Sequence, residues 1–139
     1  MLRHAALILI ASGLVTPVAA QSHLVLSGEP TSKVEAGPIS ADRTTLSTTD
    51  RTRFGITITE SHGEFYWASR ENRPLVHLTS GIYHIFIDPT GGGYIKVLDQ
   101  RGLGPDYPFS GPPVQYLEFL TLGLLTITYW GTVQTLSLD

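Results

Sequence analysis

His77 and His84 are the two residues whose types and spacing point most directly to chemistry. They lie in two short runs, Leu75 to Thr79 and Ile82 to Asp88, separated by Ser80-Gly81. A two-residue turn at Ser80-Gly81 makes a hairpin in which His77 faces His84, with Cβ atoms about 5 Å apart. Asp88 falls on the same face. Two imidazoles near a carboxylate can hold a divalent metal, or share a proton near neutral pH. The pairing depends on register, because a one-residue change in loop length turns one ring to the other face. The opposite face of the hairpin carries Val76, Leu78, Tyr83, Ile85 and Ile87, and is the expected core side.

Just before this hairpin, Arg70-Glu71-Asn72-Arg73 sets two guanidinium forks, a carboxylate and an amide in four consecutive positions. Paired guanidiniums suit bidentate capture of a carboxylate, sulfate or phosphate, and loops are where binding groups concentrate. A solvated turn with weak surface ion pairs is the plainer reading. With Trp67 on the preceding strand and Tyr107 in a later loop, these four residues are the candidate binding set. A site spanning this loop and the histidine hairpin is the expectation.

Other groupings carry less. Glu60, Glu64, Glu71, Asp88 and Glu118 supply carboxylates for acid–base hydrolysis, but their sequence spacing says nothing about which two approach one another. Glu118 is expected at a solvent-facing position of an apolar strand. There is no Gly-x-Ser-x-Gly elbow, and Ser61-His62 is a dipeptide in a turn, so no catalytic residue is assigned. Gly91-Gly92-Gly93 lacks the lysine, hydroxyl residue and helix of a phosphate loop and reads as a hairpin loop with positive φ angles. Tyr66, Trp67, Tyr94, Tyr107, Tyr116, Tyr129 and Trp130 either fill a core or offer flat faces to a sugar or a protein.

The elements that position these residues are short strands. Phe54 to Thr59 alternates apolar and small polar side chains, and Glu64 to Ser69 alternates again around Phe65 and Trp67. The histidine hairpin follows, then Tyr94 to Leu98, a Gly- and Pro-rich loop from Asp99 to Pro113, and three runs divided at Gly123 and Gly131. The reading is an all-β domain, a small sandwich or barrel of about seven or eight antiparallel strands over residues 54–139. Residues 21–53 read as a polar Ser/Thr-rich lead-in with a first strand at His23 to Leu26. Within it, Ser40 to Thr52 is expected as a long loop, or alternatively a Thr-rich edge strand. The uncharged stretch Phe119 to Leu138 contains five threonines and two glycines, a composition of paired strands and not of a membrane helix.

Residues 1–20 read as a secretory signal peptide: Arg3 and His4, an apolar run from Ala5 to Val15, and small residues up to Ala20. The run is shorter than the roughly 20 residues a spanning helix needs. The expected location is therefore secreted or periplasmic. The chain has no cysteine, which removes disulfides, thiol catalysis and zinc–thiolate sites. It carries 9 Lys and Arg against 12 Asp and Glu, with no basic run, so nucleic acid and anionic membrane surfaces are not expected partners.

Together these features suggest a non-catalytic binding module for a protein partner or a glycan, without a cofactor. One alternative is a small metal-dependent or acid–base enzyme centred on the His77/His84 hairpin and the Arg70–Arg73 loop, with His77, His84 and Asp88 as candidate metal ligands. Another is a self-assembling subunit, a homo-oligomer whose copies pair along an uncharged edge such as Leu124 to Trp130.

Overall fold

Residues 21–104 and 111–138 are described by a computed structural model of the chain. The leader reading over residues 1–20 and the candidate Tyr107 lie outside the described residues. The elements, in chain order, are β1 (His23–Ala36), β2 (Ala41–Thr45), α1 (Thr48–Arg53), β3 (Ile56–Ser61), β4 (Glu64–Trp67), β5 (Arg73–Ser80), β6 (Tyr83–Ile87), β7 (Gly93–Asp99), β8 (Val114–Leu122) and β9 (Leu125–Leu136). Strands β3 to β9 each pair antiparallel with the next, and β1 pairs with both β3 and β9. The result is a closed eight-stranded antiparallel barrel, with β2 attached outside the ring. An eight-stranded barrel has an interior just wide enough to be filled by side chains or to hold one small ligand.

Local chemistry explains the turns. His62 and Gly63 both take positive φ between Ser61 and Glu64, the pattern of a type I′ hairpin turn. Gly81 has φ 59° and leads the two-residue loop between Ser80 and Tyr83, as a type II′ turn requires. In β1 a register shift between Leu24 and Leu26 lets the consecutive residues Val25 and Leu26 both be buried.

Between β1 and β3 the expected long loop is replaced by structure. β2 pairs with the distal half of β1, from Ser32↔Thr45 to Ala36↔Ala41, so the edge-strand alternative describes residues 41–45. A short helix follows. Ser47 caps it by accepting the Asp50 amide at 3.2 Å, and Asp50 stands in its first turn, where an acid is favourable.

The core runs through the barrel from Ile58, Trp67 and Leu75 to Phe86, Ile95, Val97 and Leu120. Three expectations need correcting against it. First, the face of the histidine hairpin expected to be core is outside: Val76 and Leu78 are 47% and 50% exposed, whereas Leu75 and Phe86 are 7% and 0% exposed. Register decides this, because Leu75 pairs with Phe65 and Phe86 pairs with Ile95, which fixes the face those residues share. The outer residues cover one another in cross-strand pairs, Val76 with Ile87 and Leu78 with Ile85. Second, Gly131 is no turn. It lies inside β9, where a side chain would overlap the Glu29 backbone of β1. Third, Leu124 to Trp130 is no free edge, because β9 is paired on both sides, with β8 and with β1. Among the described residues, β2 is a strand paired on one side only, with β1. The uncharged stretch Phe119 to Leu138 is mostly β8 and β9, and no helix among the described residues is long and apolar enough to cross a membrane.

Candidate functional site at the barrel mouths

Up-and-down connectivity puts the β4–β5, β6–β7 and β8–β9 connections at one mouth and the β3–β4, β5–β6 and β7–β8 connections at the other. Arg70 and Arg73 belong to the first mouth, His77 and His84 to the second. β5 carries Arg73 and His77 about 13 Å apart along the strand, with buried Leu75 between them. The single site expected to span both groups is therefore two sites, separated by packed core.

At the first mouth the two arginines are not free surface charges. Arg70 donates from Nε (3.2 Å) and Nη2 (2.6 Å) to Oε1 of Glu118, whose side chain is 1% exposed. Glu118 is thus inside the barrel, correcting its expected solvent-facing position. Its neighbours on alternate positions of β8, Val114, Tyr116 and Leu120, are buried with it. Burial pushes the Glu118 carboxyl above its ordinary value, opposed by the attraction of Arg70. Tyr129, directly across from Glu118 on β9, is also buried, and burial raises its phenol against the opposing pull of Arg70 and Lys33.

Arg73 donates to Asp88 Oδ2 at 3.3 Å, with its own side chain 46% exposed. Asp88 is buried and accepts the Thr90 amide and hydroxyl on Oδ1, at 2.8 Å and 2.6 Å. The Thr90 hydroxyl leads in holding the Asp88 carboxyl below its ordinary value, with the Thr90 amide and Arg73 adding to it against desolvation. The glycine loop has a definite purpose here. A side chain at Gly92 would overlap both the Arg73 guanidinium and the Asp88 carboxylate, and one at Gly93 (φ 139°) would overlap the Phe119 carbonyl.

Around these pairs lies a cavity of about 450 Å³, lined by Phe54, Trp67, Ser69, Arg70, Arg73 and Tyr129 among others. Phe54 stacks on Tyr129 with ring centroids 5.6 Å apart. Trp67 is fully buried, and its Nε1–H meets no acceptor among the described residues. Of the candidate binding residues, Trp67, Arg70, Glu71 and Arg73 come together on this cavity. Glu71 and Asn72 are exposed at positive φ (56° and 53°), forming the tight bend that turns both arginines inward. Strand alternation alone places Glu118 outside, and nothing in the local sequence assigns Phe54, Tyr129 or Gly92 to this site. The signal that could have found Glu118 is the pair of arginines, since inward guanidiniums need buried acidic partners.

At the second mouth the histidines do meet, though by a different register. His77 pairs with Phe86 and Thr79 with His84, so the imidazoles are diagonal neighbours and not directly opposite. The two-residue turn is Gly81-Ile82, one position later than expected. Moving a two-residue turn by one position shifts the partner by two, which keeps both rings on one face. His77 Nε2 and His84 Nδ1 stand 3.2 Å apart. The His77 ring also stacks on Phe86 (centroids 4.6 Å, 15°) and meets Phe65 edge-on at 5.0 Å. Burial, with the charge of His84 adding to it, keeps the His77 pKa below the usual histidine value. Asp88 does not join them, because its carboxylate is committed to Thr90 and Arg73 at the other mouth. Three of the described acids stand on the histidine side: Glu64 accepts the Tyr66 hydroxyl at 2.7 Å, Asp99 is paired with Arg101 at 3.0 Å, and Glu60, which lines the histidine cavity, is hydrogen-bonded to His23 at 3.1 Å. Among the described residues, no three His, Asp or Glu side chains form a metal-ready group.

Comparison with family models, with curated proteins and with solved structures finds no match to this chain.

Proposed function

We propose that this protein is an exported, non-catalytic binding barrel whose ligand is a short glycan, held in the mouth between Arg70 and Arg73. The observation that supports this reading is the 450 Å³ cavity, which brings two guanidiniums and the aromatic wall of Phe54, Trp67 and Tyr129 to one place. Its volume lies within the range of small-molecule sites. Arg70 and Arg73 are offset by Glu118 and Asp88, and Glu71 adds one further acid at the rim. The mouth therefore offers donors and acceptors with little net positive charge, which suits the hydroxyls of a neutral saccharide better than an anion. Arg73 is the recruiting group: it is half exposed and spends one long contact on Asp88, so most of its five N–H donors remain for a ligand. Arg70 is held by two bonds to one buried oxygen and shapes the wall.

Trp67 on the cavity wall provides the assay. Tryptophan fluorescence and calorimetry would follow titration with neutral gluco-, galacto- and manno-configured oligosaccharides, with uronate-bearing ones as comparison. The expected result is saturable binding of a neutral oligosaccharide that weakens about tenfold in Arg73→Gln, the loss of one good polar anchor. Failure of the whole panel to bind, preference for the uronates, or equal affinity in Arg73→Gln would each overturn this reading.

A further inference from the structure

The second mouth carries a separate inference, independent of the glycan reading. His23, Glu60, Phe65, His77, Thr79 and His84 line a cavity of about 510 Å³ there. Two imidazole nitrogens bound to one tetrahedral zinc ion at about 2.0–2.1 Å each must stand about 3.3–3.4 Å apart. The His77 Nε2 to His84 Nδ1 separation of 3.2 Å is already close to that value. The His77 ring is fixed between Phe65 and Phe86, and its plane lies within 21° of the His84 ring. The two nitrogens already stand near the spacing an ion needs, and each ring has only to tilt so that its lone pair points at the ion and not at the other nitrogen.

We propose that His77 and His84 form a binding site for a divalent transition-metal ion of the zinc class, with Glu60 as third ligand and water completing the tetrahedron. The ion takes the place of the imidazole–imidazole hydrogen bond and is bound through His77 Nε2 and His84 Nδ1. Glu60 must turn to reach it. It lines the same cavity, and the bond it gives up is to His23, whose side chain is 60% exposed, so that bond is a weak tether. Two imidazoles and one carboxylate select zinc, copper or nickel over magnesium and calcium, which prefer all-oxygen shells. Asp88 has no part in this site.

The test is calorimetric titration of the chelator-treated full chain with Zn²⁺ alone, with Co²⁺ substitution read by its visible absorption bands. The expected result is one ion per chain and a tetrahedral Co²⁺ spectrum. His84→Ala should weaken binding at least a hundredfold and Glu60→Gln about tenfold, while His23→Ala, which frees Glu60, should hold affinity level or raise it. Circular dichroism of each variant keeps loss of fold distinct from loss of a ligand. His77 is left intact because its ring is packed between two phenylalanines. Absence of saturable one-to-one binding in the native chain, or native affinity in a folded His84→Ala, overturns the site. Native affinity in Glu60→Gln overturns the third ligand.

Discussion

Replacing Arg70 by methionine isolates the contribution of a guanidinium that supports a buried carboxylate. Glu118 is 1% exposed and receives both of its hydrogen bonds from Arg70 on one oxygen. Breaking a fully buried ion pair by deleting one partner costs about 3–5 kcal/mol, because the remaining charge is left uncompensated. Arg70 is itself 32% exposed, so solvent screens part of the pair. That discount brings the expected loss to about 2–3 kcal/mol near neutral pH. For a domain of this size the melting temperature should fall by about 8–12 °C. The pH dependence has a definite sign. Burial already raises the Glu118 pKa in the folded state, and without Arg70 it rises further. A carboxyl whose folded pKa is raised contributes stability at low pH and loses it as pH rises through that value. The deficit of the variant is therefore largest near neutrality and shrinks on acidification. Urea unfolding followed by tryptophan fluorescence, at about pH 7.5 and about pH 5, measures both terms. Adding Glu118→Gln to Arg70→Met should recover more than half of the loss. A deficit under about 0.5 kcal/mol, the scale of a surface pair, would refute the reasoning, as would one that neither pH nor the glutamine changes.

Three further outcomes follow from the same geometry. Gly93→Ala is expected to cost at least about 2 kcal/mol in thermal unfolding, because the methyl meets the Phe119 carbonyl at a φ that L residues avoid; an unchanged melting temperature would contradict it. The folded pKa of Asp88 lies below its ordinary value of 3.8, so its contribution is present above that value and is lost as pH falls through the folded one. Asp88→Asn should therefore flatten the acid limb of the stability curve below about pH 4, and an unchanged limb would remove Asp88 as its source. Val76→Thr and Leu78→Thr, on the half-exposed outer face, should each change unfolding free energy by no more than about 0.5–1 kcal/mol, and a loss near 3 kcal/mol would put those residues in a core.

The all-β class and most strands were legible because period-2 alternation and turn chemistry are local signals. Phe54 to Thr59, Glu64 to Trp67 and the His62-Gly63 turn follow from them directly. Inside and outside were harder to assign. In β5 and β6 both faces are apolar enough to be core, and only the registers to β4 and β7, a property of the closed ring, choose Leu75 and Phe86 over Val76 and Leu78. Glu118 shows the same difficulty, since Val-Gln-Tyr-Leu-Glu-Phe-Leu-Thr-Leu alternates plausibly in either phase. The histidine pair was visible despite a misplaced turn, because displacing a two-residue loop by one position preserves the face. Only parity links Asp88 to that pair. Parity fixes which face a side chain takes and says nothing of its depth along the barrel, where Thr90 and Arg73 claim it.

The seam between β1 and β9 determines how the ring can be assembled. It joins Leu26 to Leu136 and Ala36 to Thr126, whereas every other strand of the ring from β3 onward pairs with its immediate successor. Hairpins from β3 to β9 can form as each neighbour becomes available, but closure waits for the final strand to find one laid down at the beginning. Contacts of such sequence separation impose a large loop-closure entropy and set folding on the slow, millisecond-to-second scale. Until then the edges of β1 and β9 stand open to any other strand. Substitutions at the seam, such as at Gly131, should therefore slow the rate of closure, whereas those in the meander should chiefly speed its reopening.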